Sequence, residues 1–270
     1  MKNHNVHFVT PYIQDPNHPL TILLIGAGGT GSRILPRLVS IDQALKEFGK
    51  PGLHVTVIDG DKVEEHNKAR QNFTPSDVGH YKASRLIEKI NMAFGLQWEA
   101  QNTYLDNITK DHLKYNLIIS AVDNVQTRLN IKDAIAQIIA PKLKDNTTPF
   151  YWIDTGNGKD FGQVVLSTTF QRKERKTNNF TTVDNLCDVE GIFGKLEASD
   201  TKELQGMGSC SFIESIKEQD LFINDSVATE TCKFIWNLLR EPYITSQGTI
   251  INHSKGNRPL PIVKSLILTP

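Results

Sequence analysis

Residues 20–38, "LTILLIGAGGTGSRILPRL", decide the fold. The run "TILLI" is apolar without alternation, as a strand buried on both faces must be. Gly26, Gly28 and Gly31 follow it in a G-x-G-x-x-G arrangement, and a helix is expected from Ser32 to about Phe48, ending near Gly49 and Pro51. Pro36 falls inside that helix and belongs near its first turns, where proline is tolerated best. A glycine turn between a buried strand and a helix N-terminus presents bare backbone amides to phosphate oxygens. Its bland alternative is a tight turn in which glycine serves close packing alone.

Further along, "HVTVID" reads as a second strand ending at Asp59, where a carboxylate accepts hydrogen bonds from ribose hydroxyls. Asp59 lies 28 residues after Gly31, a separation that suits a long first helix. Turn and acid together indicate an adenosine nucleotide without saying which one. Residues 60–79 form a polar stretch too long for an ordinary connection, which marks it as functional or disordered. "YKASRLIEKINMAF" has helical spacing at Leu86, Ile87, Ile90 and Phe94, and "QWEAQNTYL" alternates like a strand. "YNLIISAVD" reads as a strand ending at Asp123, with the helix "NVQTRLNIKDAIAQII" behind it and two more strands in "FYWIDTGNG" and "FGQVVLSTT".

This succession predicts an α/β fold: a doubly wound, Rossmann-like, mostly parallel sheet with helices on both faces and a β-rich continuation. Sites in such sheets lie beyond the carboxyl ends of the strands, so Gly26, Asp59 and Asp123 should converge. The expected organisation is an irregular arm over 1–19, a Rossmann-like nucleotide-binding core over 20–170, an irregular crossover-type loop over 171–209, and a helix and strands over 210–270 that complete the same domain. "INDSVATETCKFIWNLL" carries the last helical stripe.

Composition narrows the class. Of 270 residues, 39% are hydrophobic and 22% charged, and 30 Lys+Arg balance 30 Asp+Glu, so net charge gives no argument for nucleic acid or an anionic membrane. The apolar runs fall far short of the roughly 20 residues a membrane-spanning helix needs. The first residues lack the apolar core of a signal peptide, and a cytoplasmic protein is expected. Cys187, Cys210 and Cys232 form no C-x-x-C pair, so structural zinc is not expected and free thiols are. Cys210 sits between a loop and a helix, where a helix N-terminus can lower a thiol pKa. Cys187 lies among acids, and Cys232 falls on an apolar stripe.

The residues after Asp59 separate the possible nucleotides. "DGDKVEEHNKARQNF" holds Asp61 and sets Asn67, Arg70 and Gln71 in an N-x-x-R-Q arrangement, and "DVGHYKA" adds Lys82. A nicotinamide-dependent oxidoreductase has little use for extra cations near the pyrophosphate. An enzyme that cleaves ATP between its α- and β-phosphates must stabilise charge growing on pyrophosphate, which an arginine fork and a lysine do well. Asp123 is a hard oxygen ligand suited to Mg²⁺. Each has a plainer use: Lys82 solvated at a helix start, Asn67 or Asp123 capping a helical turn, Asp61 fixing the turn.

The set "GAGGTG", "VIDGDKVEEHNKARQ", "VGHYKA" and "SAVDN" resembles the ThiF/MoeB/ubiquitin-activating-enzyme family over roughly residues 20–170. The resemblance implies that ATP activates the C-terminal glycine carboxylate of a small ubiquitin-like protein as an acyl adenylate. It implies that Gly26, Gly28 and Gly31 hold phosphates, Asp59 the ribose, and Asp61, Asn67, Arg70, Gln71 and Lys82 the nucleotide, with Mg²⁺ on Asp123. Arg70, Lys82 and Asp123 would then be catalytic, with Cys210 the candidate thiol for a later transfer. It further implies a homodimer and a conjugating-enzyme-like or sulfur-transfer partner. Two departures from the family pattern stand out. The paired zinc cysteines of many members are missing, and no arginine precedes Arg33, which leaves Lys2 as the candidate replacement for an N-terminal arginine. "GSCSFIESIKEQDLFINDSVA" also resembles ThiF-like proteins of PRTRC gene clusters. The chain is thus expected to be an adenylyltransferase, with a nucleotide-binding relative lacking the chemistry, or an oxidoreductase, as alternatives.

Overall fold

A computed structural model of the chain describes residues 5–69, 71–104, 115–123, 125–139, 150–169, 175, 177, 180–198 and 220–264. Its centre is an eight-stranded sheet. In chain order the strands are β2 (Leu20–Ile25), β3 (Leu53–Ile58), β4 (Glu99–Gln101), β5 (Leu117–Ser120), β6 (Tyr151–Asn157), β7 (Phe161–Thr168), β10 (Gly248–Asn252) and β11 (Arg258–Leu260). They lie side by side in the order β11-β10-β7-β6-β5-β2-β3-β4. From β6 to β4 all neighbours are parallel, and β7, β10 and β11 add antiparallel pairs.

Among the described residues there are five longer helices, and the apolar pattern announces all but the fourth of them. They are α2 (Gly29–Glu47), α3 (Lys82–Phe94), α4 (Val125–Ile139), α5 (Val189–Ala198) and α6 (Ile223–Arg240). Alternate residues of β2 explain the two-sided covering. Ile22 and Leu24 pack with Leu35, Leu38, Leu86 and Ile235 of α2, α3 and α6, whereas Leu23 and Ile25 pack with Ile131 and Ile135 of α4. The doubly wound, mostly parallel sheet expected from the sequence is therefore observed, and β10 and β11 extend that sheet.

Several local expectations differ. The arm expected over 1–19 contains a strand, β1 (Asn5–Phe8), and a helical turn, α1 (Pro11–Gln14). β1 sits between β8 (Thr181–Thr182) and β9 (Tyr243–Ile244), partners more than 170 residues away that no local pattern can announce. The irregular loop expected over 171–209 contains α5, anchored by fully buried Ile192 against Val165, Ile250 and Leu260. The strand expected to reach Asp123 stops at Ser120, its last paired residue, and leaves Asp123 in the turn beyond it. The polar stretch 60–79 is structured by two short 3-10 turns, Glu65–Ala69 and Pro75–Asp77.

Candidate active site

Register places the site. Ile25 stands opposite both Ile58 and Ser120, so β2, β3 and β5 end level with one another. The next residues bridge the strands: Gly26 N–H donates to Ile58 O (2.9 Å) and Ala121 N–H to Ile25 O (2.8 Å). Gly26, Asp59 and the turn leading to Asp123 therefore share one edge, as the alternation of strands and helices implied.

The glycines of the turn do different jobs. Gly26 has φ +96°, and a Cβ there would lie 2.5 Å from Ala121 O. A Cβ on Gly31 would lie 1.9 Å from Gly26 O, so the first turn of α2 sits directly on the strand exit. Gly29 faces the Asn224 carboxamide of α6, 2.8 Å from its own absent Cβ. Only at Gly28, the N-cap of α2, does an added Cβ meet nothing within 4 Å. The packing use of glycine thus accounts for Gly26, Gly29 and Gly31, and Gly28 is the member of the turn that opens outward.

Asp59 ties this turn to the end of β3. Its Oδ2 accepts from Ala27 N–H (2.7 Å) and its Oδ1 from Asp61 N–H (2.8 Å). Burial raises its pKa, and those two amides together with Lys82 oppose the rise. Each carboxylate oxygen keeps a second lone pair that a ribose hydroxyl can use. Beside it, Lys82 is the first residue of α3; its side chain is buried and its Nζ lies 2.9 Å from Asp61 Oδ2. The other oxygen of Asp61 accepts from the Tyr104 hydroxyl at 3.0 Å. Burial works against charge on Asp61, but Lys82 and Tyr104 outweigh it and hold the carboxyl below its usual range. Lys82 is therefore a positioned cation and not a solvated one.

The N-x-x-R-Q element divides. Asn67 Oδ1 accepts from Glu64 N–H (2.8 Å), which is the turn-capping use open to it from the sequence. Gln71 buries its Oε1 with no hydrogen-bond partner among the described residues. Asn72 docks the element on α2, donating from its backbone to Ser32 Oγ (3.2 Å) and from Nδ2 to Ser32 O (3.1 Å). Asp123 is exposed just past β5. Arg70, Cys210 and Lys2 lie outside the described residues.

The sequence reading missed three contributors, Asn224, Asp225 and Arg128. Asn224 Oδ1 accepts from Thr30 Oγ1 (3.0 Å) and from Asn157 Nδ2 (2.8 Å), joining α6 and β6 to the glycine turn. Asp225 pairs with Arg33 (2.6 Å) and Arg37 (3.3 Å) of α2. Arg128 of α4 binds the turn that carries Asp123. The contacts of Asn224 and Asp225 are long-range and leave no local signal, whereas Arg128 reaches back only six residues to Val122.

Cys187 and Cys232 are buried and form no disulfide among the described residues. Burial pushes the Cys232 thiol up to about 12, against a smaller opposing pull from Arg37, in keeping with a packing role.

A glycine turn on a helix N-terminus, a carboxylate at the next strand end and a paired lysine are what a nucleotide-activating site needs. The model of the ThiF family matches residues 5–257. The chain belongs to the ThiF family. That membership makes it an ATP-dependent adenylyltransferase of the type that includes ubiquitin-activating enzymes. No curated protein matches the chain. Among solved structures, E. coli MccB with ATP aligns with a TM-score of 0.60 at 12% identity, covering 95% of this chain and 68% of MccB. E. coli MccB with AMPCPP and MccA aligns at 0.61 and 12%, covering 96% and 68%. The microcin C7 biosynthetic enzyme MccB with N-formylated MccA aligns at 0.58 and 13%, covering 95% and 69%. At such identities the likeness is one of fold.

Proposed function

We propose that this ThiF-family chain adenylates the C-terminal glycine carboxylate of a small ubiquitin-like protein. The observation that carries the reading is the convergence on one sheet edge of Gly28 at the α2 N-terminus, Asp59, and the Lys82–Asp61 pair. A carboxylate oxygen of the substrate attacks the α-phosphorus of ATP. The bond from that phosphorus to the bridging oxygen breaks, and the electron pair leaves with pyrophosphate. Asp59 holds the ribose and the amides around Gly28 receive phosphate oxygens. Lys82 meets the charge growing on pyrophosphate, and the family resemblance makes Arg70 of the N-x-x-R-Q stretch a second cation.

Mg²⁺ fits this arrangement. Among the described residues no group of three or more His, Cys, Asp or Glu could cage a metal ion. Mg²⁺ at nucleotide sites commonly takes only one or two carboxylates together with substrate phosphates, and Asp123 is an exposed carboxylate on the correct edge. When bound, Mg²⁺ neutralises triphosphate charge.

The protein substrate and its fate rest on the family resemblance. Solved MccB structures hold ATP, or AMPCPP with MccA, which supports a fold that takes a nucleotide together with a partner. Transfer of the acyl group to Cys210, a homodimeric state, and a conjugating-enzyme-like or sulfur-transfer partner belong to the same proposal, as does a place among PRTRC-type proteins. Among the described residues no helix is long and apolar enough to cross a membrane.

The test is pyrophosphate exchange. The chain is incubated with ATP, Mg²⁺, labelled pyrophosphate and candidate ubiquitin-like proteins ending in glycine. Label entering ATP only when the carboxyl partner is present supports adenylation, and Arg70→Ala or Asp123→Ala should abolish it. ATP binding without exchange for any partner would leave a nucleotide-binding relative, and preferential binding of NAD would overturn the reading.

A further inference from the structure

Below the turn that carries Asp123 lies a buried polar cluster that the adenylation chemistry itself does not use. Arg128, the fourth residue of α4, turns its guanidinium back toward the sheet. Its Nη2 donates to two carbonyls, Val122 O at 3.0 Å and Thr155 O at 2.8 Å. Val122 is the residue before Asp123, and Thr155 belongs to β6. The guanidinium also lies 3.1 Å from where a Cβ on Gly156 would stand, so it packs closely over that glycine.

The arginine is itself held. Its Nε lies 3.5 Å from Asp154 Oδ1, in a pair whose side chains are 17% and 2% exposed. Asp154 Oδ1 also accepts from Ser120 Oγ (2.5 Å), and Ser120 Oγ accepts from Trp152 Nε1 (2.9 Å). Thr155 Oγ1 donates to Ser120 O (2.8 Å). Ser120 is the last paired residue of β5, so every member of the cluster touches β5, β6 or the turn between β5 and α4.

A buried ion pair is weak evidence of stability, because desolvation offsets most of the attraction. What this pair does supply is direction: the planar guanidinium sets Nε toward Asp154 while Nη2 reaches both carbonyls, a fixed spacing of donors that a lysine, with one nitrogen on a flexible stem, does not reproduce. We infer that Arg128 is a positioning residue which, oriented by Asp154 and Ser120, fixes the Val122–Asp123 turn so that the Asp123 carboxylate is presented to nucleotide-borne Mg²⁺. The inference rests on the metal role proposed for Asp123. It predicts that Arg128 matters for the metal-dependent part of nucleotide binding and acts through Asp123.

The test compares ATP binding in excess Mg²⁺ with ATP binding in EDTA, by calorimetry on the full chain. Mn²⁺–ATP binding, followed by electron paramagnetic resonance, gives a second readout independent of turnover. For Arg128→Lys, the expected result is a fall of about tenfold in the metal-dependent gain in affinity, roughly 1.4 kcal/mol. Binding in EDTA should stay unchanged. Asp123→Ala should remove the gain altogether, and the Arg128→Lys/Asp123→Ala double variant should match Asp123→Ala alone, since residues acting as one unit are not additive. Ser120→Ala, which frees the Asp154 carboxylate while leaving the fork intact, should lose a few-fold of the gain and serves if Arg128→Lys fails to fold.

An Arg128→Lys or Ser120→Ala chain with the full wild-type gain would overturn the inference, as would losses that add in the double variant. If the wild-type chain binds ATP equally with and without metal, the role of Asp123 itself fails. If it does not bind ATP at all, the proposed adenylation fails with it.

Discussion

At the scale of single residues, Gly28 and Gly31 are alike in the motif but opposite in the structure. A methyl group on Gly31 would drive into Gly26 O at 1.9 Å, against backbone that cannot yield without moving β2 or α2. Gly31→Ala should cost more than ~3 kcal/mol, beyond the usual range for overpacking, and should abolish nucleotide binding with it. Gly28→Ala meets no atom within 4 Å, so its melting temperature should stay near wild type while ATP affinity falls. Calorimetric melting and ATP titration of both variants separate packing from binding, and equal melting temperatures would refute the distinction. The motif carries all three glycine positions but not this division of labour, because which glycine is crowded depends on how α2 sits on the end of β2 and on the β5 exit at Ala121, 95 residues from Gly26. Asn67 shows the reverse case: its capping use was visible beforehand, since a short carboxamide inside a polar turn can reach back to the backbone amide that opens it, here that of Glu64.

At the scale of elements, the stretch between β3 and α3 owes its shape to Asp77. Thr74 and Asp77 form a capping box, with Thr74 N–H (2.7 Å) and Thr74 Oγ1 (2.9 Å) both donating to Asp77 Oδ2. Arg85 Nε (3.1 Å) and Lys89 reach Asp77 from α3. Burial opposes its charge, but Lys89, Thr74 and Arg85 outweigh that and hold the carboxyl well below the usual carboxylate range. A depressed folded-state pKa contributes stability that is present above the unfolded value of about 4 and lost as pH falls through the folded value. Asp77→Asn should therefore be less stable than wild type by a constant amount, ~3 kcal/mol, above about pH 5. Urea unfolding should show that gap shrinking below about pH 4; a gap that persists to the lowest pH would refute the role. The same stretch shows why helices were easier to read than loops. α3 announces itself through Leu86, Ile87 and Ile90 on one face, whereas the turns at Glu65–Ala69 and Pro75–Asp77 are held by side-chain hydrogen bonds that leave no periodic trace.

Across the whole molecule, burial also sorts the thiols. Cys187 and Cys232 are 4% and 7% exposed, and the Cys232 thiol is pushed up to about 12. Neither should react with an aromatic disulfide reagent until the chain unfolds, so any equivalent released rapidly from the native chain belongs to Cys210. Retention of that fast equivalent in Cys210→Ala would show that one of the buried thiols is accessible after all.

The resemblance in motifs ended near residue 170, yet the fold does not. α2 carries the glycine turn, and its buried face packs on α6: Ile34, Leu35 and Leu38 share one cluster with Val227, Phe234, Ile235 and Leu238. Asp225 pairs with Arg33 and Arg37 across the same interface, and β10 extends the sheet along β7. A piece cut after residue 170 would expose the apolar face of α2 and leave both arginines without their carboxylate. Burial of a Leu, Ile or Phe side chain is worth ~1.5–3 kcal/mol, so uncovering half a dozen costs about 9–18 kcal/mol, as much as the whole 5–15 kcal/mol by which domains are stable. The 20–170 piece should therefore give no cooperative thermal transition and bind no ATP, whereas the full chain should unfold in one step that ATP shifts upward. A folded, ATP-binding 20–170 piece would mean that the motif-bearing half is a domain by itself and that α6 is an accessory.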